Sequence, residues 1–288
     1  MNPYPTRRLD NHVGIIKRQE DIILDHTIPL LDNYAKNGYL VIPNFTLDQA
    51  MIKNFNSSVS TYVNQNLKDN PLIVFEPNSK DIKSLFYVHK LFENVILNIL
   101  RKKEINTLIR GILGDNIYIH QSRINFKLPG GIGKEFNWHS DFETWHSEDG
   151  MPSMRCLTVL IALDEFTKEN GAIEFIPQSH KYFIPTKGLT PENNYVSSLS
   201  YQTLGVPEKS IIENFKHEYG VHSIQCPPGS AILFDCNTLH FSPANWSQST
   251  RSALFIVLNS LGNQLVHPFE STTHRPYFLA EKENLLLV

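Results

Sequence analysis

Three residues of this sequence have the types and spacing of a metal site. His139 and Asp141 are one residue apart in the stretch FNWHSDFETWHSEDGMPSMR, which begins at Phe136. Side chains two positions apart on an extended strand project from the same face, so this imidazole and this carboxylate can hold one ion. The third candidate, His240, ends the run SAILFDCNTLH. Two histidines and a carboxylate leave the opposite face of a metal open, as in the non-haem Fe(II) oxygenases.

A basic residue near the third candidate ligand strengthens this interpretation. Arg251 opens the apolar run RSALFIVLNSL, so the strand after His240 can return a guanidinium to the metal. An oxygenase that uses 2-oxoglutarate needs such a cation, because the distal carboxylate of the cosubstrate prefers a bidentate partner. Ser242 can donate a second hydrogen bond to that carboxylate. Because the chain has 12 histidines, the His-x-Asp triplet alone is a weak signal.

The other polar and aromatic residues around these candidates are open to structural interpretations. Five histidines are interpreted as surface or loop residues: His120, His146, His180, His222 and His267. A tightly spaced acidic group fits a solvated turn better than a metal site: Glu143, Glu148 and Asp149. Three aromatic residues flank the ligands and either fill a barrel or form the wall of a substrate pocket: Trp138, Phe142 and Trp145.

The composition limits the class of protein. The chain has 288 residues and 41% hydrophobic content, which is enough for one sizeable core. A net charge of -3, without a Lys/Arg cluster, argues against nucleic acid as a partner and favours a small molecule. The N-terminus lacks a signal-peptide core and no apolar run is long enough to cross a bilayer, which predicts a cytoplasmic protein with no membrane partner. A homodimer is a candidate assembly.

The three cysteines predict no covalent framework. Cys156, Cys226 and Cys236 are an odd number and do not have the spacing of a zinc finger. Free cysteine usually packs as a small apolar residue, so we expect buried thiols. Cys236 lies close to His240 in sequence, but packing remains the favoured interpretation.

The first part of the chain reads as an arm followed by helices. Residues 1 to about 30 are predicted to form an extended arm of little functional importance. An amphipathic helix then ends at Gly38, and a strand follows over Tyr39 to Ile42. Two further helices are predicted, over Leu47 to Leu67 and over Val88 to Leu113. These helices should pack on the outside of a sheet.

From Ile117 the sequence changes to short β-rich runs. Turn sequences such as Pro-Gly-Gly and Asn-Gly separate the runs IYIHQSRINFKL, MRCLTVLIALDEF, AIEFIP, SAILFD and SALFIVLNSL. This pattern predicts a mainly β protein with a jelly-roll or cupin-like double-stranded β-helix core and flanking helices. We expect a single domain over 1–288, with the arm and supporting helices in about 1–115 and the core in about 116–280. A polar stretch near 181–222 is predicted to be a lid-like insertion.

Beyond these patterns, the motifs carry a family resemblance. FNWHSDFETWHSEDGMPSMR, IHQSRINFK, NGAIEFIPQSH, TPENNY and FDCNTLH resemble the ectoine hydroxylases, within the phytanoyl-CoA dioxygenase-like group of Fe(II)/2-oxoglutarate oxygenases, over about residues 80–280. The resemblance implies a jelly-roll core and His139, Asp141 and His240 as iron ligands. It implies a 2-oxoglutarate site made by Asn125, Thr158, Ser242, Arg251 and Phe86. It further implies that the substrate is held by Gln121, Arg123, Trp145, Phe234 and Phe255.

The activity implied by the resemblance is hydroxylation of a small cyclic amino acid-type substrate, with Fe(II), 2-oxoglutarate and O2, and specifically of ectoine to 5-hydroxyectoine. A related hydroxylase of free L-proline, pipecolate or another amino acid stays open. A non-catalytic cupin-like binding module is the third alternative, although it would not need both the metal triad and Arg251. Phe241 and Cys156 stand where the family pattern has glycine and alanine, and we expect Phe241 to reshape the substrate pocket.

Overall fold

A computed structural model describes residues 4–7, 14–20, 24–43, 45, 47–77, 79–114, 116–198 and 203–282. The helices are α1 Leu30–Asn37, α2 Gln49–Gln65, α3 Val88–Leu91, α4 Glu93–Leu100, α5 Lys103–Leu113, α6 Asp141–Thr144, α7 Asn194–Ser198 and α8 Lys209–Tyr219. The strands are β1 Ile16–Lys17, β2 Tyr39–Ile42, β3 Ile73–Phe75, β4 Ile82–Phe86, β5 Ile117–Lys127, β6 Phe136–His139, β7 Cys156–Ala162, β8 Glu174–Phe175, β9 Tyr182–Phe183, β10 His222–Ser223, β11 Ala231–Asp235, β12 His240–Ser242 and β13 Arg251–Ser260. A π-helical turn, Trp145–Asp149, continues α6.

Two antiparallel sheets form the core. The larger has seven strands in the order β2-β11-β7-β13-β5-β4-β3, and the smaller has four in the order β10-β8-β12-β6. Phe175 of β8 packs in one cluster with Phe234 of β11 and Phe255 of β13, so side chains of both sheets meet in the interior. This double-sheet architecture confirms the predicted mainly β, jelly-roll or cupin-like fold.

The central strands of the large sheet are buried on both faces. On β13, Leu254, Ile256 and Leu258 join the cluster that contains the helices, whereas Ala253 and Phe255 face the smaller sheet. Strands covered on both sides read as continuous apolar runs rather than alternating ones, which explains the run in β13. The N-terminal helices therefore pack outside the sheet, as predicted.

The helix boundaries follow the capping chemistry of the sequence. Gly38 ends α1 with φ +81°, a left-handed conformation that glycine adopts without a steric penalty. Asp48 caps α2 by accepting a hydrogen bond from the Met51 N–H at 2.7 Å. The prediction of one helix over Val88 to Leu113 is wrong, because Phe92 and Lys102 take non-helical backbone angles and separate α3, α4 and α5.

Two regions contain structure that the sequence pattern did not indicate. Strands β3 and β4 extend the large sheet beside β5, in a part of the chain between two predicted helices where no strand was predicted. The stretch 181–222 was expected to be irregular, but it contains β9, α7 and α8. Strand β1 of the N-terminal arm pairs with β9 in that stretch. A lid function of this stretch stays a prediction.

None of the helices in the described ranges has the length and apolar character needed to cross a bilayer. The prediction for the cysteines is confirmed, because Cys156, Cys226 and Cys236 are all free and buried.

Candidate metal centre and active-site cavity

The three candidate metal ligands meet where two strands of the smaller sheet lie side by side. His139 ends β6, and His240 begins β12 as its cross-strand partner. Asp141 is the first residue of α6, and the extended Ser140 between them keeps the carboxylate beside the imidazole. His139 Nε2 lies 3.7 Å from Asp141 Oδ1. One ligand atom from each of the three residues lies within 4.8 Å of the others, so a single ion can contact all of them.

Backbone carbonyls orient both imidazole rings. His139 Nδ1 lies 2.7 Å from the Asn137 carbonyl oxygen, and His240 Nδ1 lies 3.0 Å from the Thr238 carbonyl oxygen. A carbonyl oxygen can only accept a hydrogen bond, so Nδ1 carries the hydrogen and Nε2 keeps the lone pair that a metal requires. Burial, together with the neighbouring His240, lowers the pKa of His139 to about 3. His139 is therefore neutral near pH 7, which is the form that binds a metal.

A cavity beside these ligands is lined by alternate residues in the C-terminal half of β5, together with Phe126. Gln121, Arg123, Asn125 and Lys127 all face it, because alternate side chains of a strand point to the same side. Lys127 was not among the predicted site residues, although the same alternation continues to it from Asn125. Phe86, on the neighbouring strand β4, also lines the cavity.

Two basic side chains lie together at one end of the cavity. Arg251 of β13 is the cross-strand partner of Lys127. The guanidinium of Arg251 lies over the Phe166 ring at 4.6 Å, and among the described residues its Nε has no hydrogen-bond partner. Burial lowers the pKa of Arg251 to about 10. Lys127 Nζ donates to Ser242 Oγ at 2.6 Å, and burial lowers the pKa of this amine to about 6. An anion bound here would favour the charged forms of both groups.

The other end of the cavity combines aromatic rings with further polar groups. Trp145 and Phe255 both line it, and the Arg123 guanidinium lies over the Phe255 ring at 4.7 Å. Gln121 Nε2 donates to the Leu279 carbonyl oxygen at 2.8 Å. Leu279 belongs to the segment after β13, which thus reaches the cavity as well.

That C-terminal segment also brings a cavity residue that no sequence pattern indicated. Arg275 lines the cavity and forms a bidentate ion pair with Asp149, with both N–O distances at 2.6 Å. His120 Nε2 lies 3.2 Å from the same carboxylate, and its ring lies edge-on to Trp145 at 5.3 Å. Asp149 and His120 are completely buried. The pairing depends on a long-range contact, so residue spacing could not have predicted it.

Two predicted ligand-binding residues lie away from the cavity wall. Within the described chain, neither Thr158 nor Phe234 lines the cavity. Phe234 packs against the His240 ring, with the ring centroids 5.2 Å apart, so it supports a metal ligand from behind. Thr158 is fully buried in β7, and its Oγ1 has no hydrogen-bond partner among the described residues. Cys156 lies in a buried apolar cluster with Met154 and Cys236 rather than on the cavity wall.

Phe241 does not point into the cavity, contrary to the expectation from the sequence. Its ring stacks on Trp138 at 5.3 Å with an interplanar angle of 14°. Trp138 is next to the candidate ligand His139 in sequence, and Phe241 is next to His240. Because side chains alternate along a strand, a ligand that points toward the cavity has its neighbour on the outer face of the sheet. Lys216 of α8 covers the Trp138 ring from that side at 5.3 Å.

Several polar residues assigned to the surface are buried instead. His120, His146 and His180 are fully buried, whereas His222 and His267 are exposed as expected. The interpretation of the acidic group as a solvated turn is also wrong, because Glu143, Glu148 and Asp149 are buried and paired with arginines. Acidic side chains are almost never fully buried unless they are paired, and the partners here come from the two ends of the chain.

A double β-sheet core with two histidines and one carboxylate converging beside a cavity defines the class of non-haem iron dioxygenases. The chain belongs to the phytanoyl-CoA dioxygenase family, whose sequence profile (Phytanoyl-CoA dioxygenase, PhyH) matches residues 34–253.

Named relatives are similar over nearly the whole chain. The ectoine dioxygenase of Stutzerimonas stutzeri is 40% identical over 262 residues, which cover 88% of this chain and 84% of that protein. The ectoine dioxygenase of Halomonas elongata is 36% identical, with 98% and 86% covered. The crystal structure of EctD from S. alaskensis with 2-oxoglutarate and 5-hydroxyectoine superposes with a TM-score of 0.82 at 31% identity, covering 100% of this chain and 97% of that one. EctD from S. alaskensis with bound Fe has a TM-score of 0.80 at 32% identity, with 98% and 95% covered.

Proposed function

We propose that this protein is an Fe(II)- and 2-oxoglutarate-dependent dioxygenase that hydroxylates ectoine to 5-hydroxyectoine. One observation carries the proposal: the triad His139, Asp141 and His240 shares a single cavity with two neighbouring basic side chains, Arg251 and Lys127. The similarity to ectoine dioxygenases supports the choice of substrate.

The metal-binding part of the proposal rests on the donor set. His139, Asp141 and His240 would hold Fe(II), because two imidazoles and a carboxylate on one face suit this ion. When bound, iron supplies the activation of O2 that couples decarboxylation of 2-oxoglutarate to hydroxylation of a C–H bond. The protein orients the ligands, since the Asn137 and Thr238 carbonyls hold the two rings in place.

The cosubstrate would lie between the triad and the cationic end of the cavity. Arg251 would bind the distal carboxylate of 2-oxoglutarate, and its Nε, which has no hydrogen-bond partner among the described residues, supports this assignment. Beside it, Lys127 Nζ donates to Ser242 Oγ and to the Ser242 and Pro243 carbonyl oxygens, and Ser242 Oγ donates to the Gly171 carbonyl oxygen. To donate to the same carboxylate, Lys127 or Ser242 would exchange one of these protein acceptors for it. Asn125, whose Oδ1 accepts from Ser84 Oγ at 2.8 Å, and Phe86 would line the path between the two ends.

The substrate would occupy the aromatic end. Ectoine carries an amidinium in its ring and a carboxylate outside it. The Trp145 face would hold the amidinium by a cation–π contact, for which about 0.5–2 kcal/mol is usual. Arg123 and Gln121 would meet the carboxylate, with Phe255 closing the apolar side. Asn194 and Leu204 of the 181–222 stretch also line the cavity, which supports a lid role in excluding water.

A substrate panel tests the proposal. Enzyme loaded with Fe(II) under argon is mixed with O2, 2-oxoglutarate and ectoine, L-proline or pipecolate, and both succinate and product mass are measured. Ectoine should give one added oxygen atom and stoichiometric succinate. Hydroxylation of proline or pipecolate alone would reject ectoine and keep the oxygenase. A protein that forms no succinate with or without any substrate would instead be a binding module.

Trp145→Ala provides the matched test of the substrate site. It should raise the ectoine KM about tenfold, while the 2-oxoglutarate KM stays within about twofold, because the ring lies at the opposite end of the cavity from Arg251. An unchanged ectoine KM would place the substrate elsewhere.

We further infer that the enzyme is cytoplasmic and that its partner is a small molecule and not a nucleic acid. A homodimer is the candidate assembly. Three free cysteines support a reducing compartment. The net charge of -3 gives no basic excess for nucleic acid. Light scattering after gel filtration tests the dimer directly.

A further inference from the structure

The N-terminal arm places a buried arginine behind the cavity wall. Arg7 is 1% exposed, and its whole guanidinium is engaged. Nε and Nη2 donate to the two oxygens of Glu143 at 2.8 and 2.7 Å, and Nη1 donates to Glu148 Oε1 at 2.6 Å. A rigid guanidinium fork that binds two carboxylates fixes both of them in orientation as well as in distance.

Both carboxylates belong to the part of the chain that forms the metal centre and the substrate wall. Glu143 lies in α6, the helix that begins with the candidate metal ligand Asp141. Glu148 lies in the same π-helical turn as Trp145, and both residues line the cavity. Arg7 thus lies one layer behind the wall and does not itself line the cavity.

The same two carboxylates also hold the 181–222 stretch. Thr186 Oγ1 donates to Glu143 Oε1 at 2.5 Å, and Asn194 Nδ2 donates to Glu148 Oε1 at 2.8 Å. Asn194 lines the cavity too. The arm, the wall and the 181–222 stretch are therefore joined through one buried cluster centred on Arg7.

We propose that Arg7 is a positioning residue, which sets the substrate wall of the active site through Glu143 and Glu148. The charges support this role, since one guanidinium is the shared ion-pair partner of two buried carboxylates. Without Arg7 the two carboxylates would repel each other and keep only neutral donors such as Thr186 and Asn194, and Glu148 would turn toward the nearest solvent, which is the cavity. The adjacent Trp145 would then lose its place, and the substrate would be held less accurately for reaction.

The second buried arginine of the arm provides a matched control. Arg18 pairs with Asp235 at 2.7 Å and donates to the Met154 carbonyl oxygen. In the described part of the chain, neither Asp235 nor Met154 lines the cavity. If the arm served only to stabilise the fold, removing either arginine would have the same consequences.

The test compares Arg7→Ala, Arg7→Lys, Thr186→Val and Arg18→Ala with the wild type, and it rests on the proposed function. Thermal melts first establish that each variant is folded. The ectoine KM and the ratio of hydroxylated product to succinate are then measured. Displacement of Trp145 weakens substrate binding, and a substrate misplaced by about 1 Å reacts far less efficiently, so Arg7→Ala should raise KM several-fold, up to about tenfold, and lower the product ratio by about half or more. Arg7→Lys should recover part of both losses, and Arg18→Ala should lower only the melting temperature.

The outcomes separate positioning from stability. A folded Arg7→Ala with wild-type KM and product ratio, or an Arg18→Ala with the same catalytic loss, would overturn the proposal. If Arg7→Ala does not fold, Thr186→Val provides the test. It should lower the product ratio, by less than is expected for Arg7→Ala, and an unchanged ratio rejects the inference. A wild type that ignores ectoine refutes the proposed substrate instead, and the same ratios are then measured on the substrate that it hydroxylates.

Discussion

At the residue scale, the metal triad makes the strictest prediction. His139→Ala, Asp141→Ala and His240→Ala should each abolish hydroxylation and weaken Fe(II) binding, because a site with three protein donors loses one of them. Titration of the apoprotein with Fe(II) under argon, followed by single-turnover product analysis, measures both effects. Full activity in any of the three variants would contradict the assignment.

Arg251 allows a prediction about the cosubstrate alone. Removal of a buried bidentate charge pair costs about 2–5 kcal/mol, much of it from stranding the partner charge, so Arg251→Ala should raise the 2-oxoglutarate KM well over tenfold. Arg251→Lys should recover only part, since an ammonium cannot replace the planar fork. The KM for ectoine serves as the internal control. An unchanged 2-oxoglutarate dependence would move the cosubstrate site.

Phe241 yields the opposite prediction from the one that its sequence position suggested. Because its ring stacks on Trp138 outside the cavity, Phe241→Gly should leave the substrate preference unchanged. The variant should lose stability, since an aromatic pair contributes about 0.5–1.5 kcal/mol beyond its buried area. A gain of ectoine turnover in this variant would show that the ring does act on the pocket. The outward position followed from strand alternation next to His240, so it was predictable from the sequence.

At the element scale, the π-helical turn after α6 depends on the glycine that ends it. Gly150 has φ +74°, and a Cβ at this position would overlap the Val266 carbonyl oxygen. Gly150→Ala should therefore displace the C-terminal segment from the turn and cost about 2 kcal/mol or more, as left-handed backbone strain adds to the clash. Denaturant unfolding measures the loss.

Gly130, in the turn after β5, is the control for that experiment. It also has a positive φ, +65°, as the first central residue of a turn in which the Ile132 N–H donates to the Pro129 carbonyl oxygen, but among the described residues no atom lies within 4 Å of the point that a Cβ would occupy. Gly130→Ala therefore carries the backbone strain without the clash and should cost only about 1 kcal/mol. Equal losses in the two variants would show that the contact with Val266 is unimportant.

Local sequence rules predicted those elements whose signals are local. The Gly38 stop, the Asp48 cap and the apolar runs of β7 and β13 each depend on neighbouring residues, and all of them are present. Strands β3 and β4 were missed because they are short and are stabilised by pairing with β5, which lies far along the chain. Propensity is a weak guide where such tertiary pairing decides the structure.

At the scale of the whole molecule, the unpredicted parts of the site come from the two ends of the chain. Arg7 reaches Glu143 and Glu148 from the arm, and Arg275 reaches Asp149 from the C-terminal segment. Periodicity and spacing show which residues of one strand share a face, as for Arg123 and its neighbours. They contain no information on which distant arginine pairs with a buried carboxylate. The acidic group was consequently interpreted as solvated, although in the structure it joins both termini to the cavity wall.

Ligand-linked stability tests this whole arrangement at once. A ligand that binds only the folded protein at about 100 times its Kd adds about 2.7 kcal/mol, which for a chain of this size should raise Tm by about 5 °C. Fe(II) should therefore raise Tm under argon, and 2-oxoglutarate should raise it further only when the metal is present, because in the proposed arrangement the cosubstrate would contact both the iron and Arg251. In Arg251→Ala the shift from Fe(II) should persist while the shift from 2-oxoglutarate is lost, whereas His240→Ala should lose both. A full 2-oxoglutarate shift in His240→Ala would mean that the cosubstrate binds this fold independently of the metal centre.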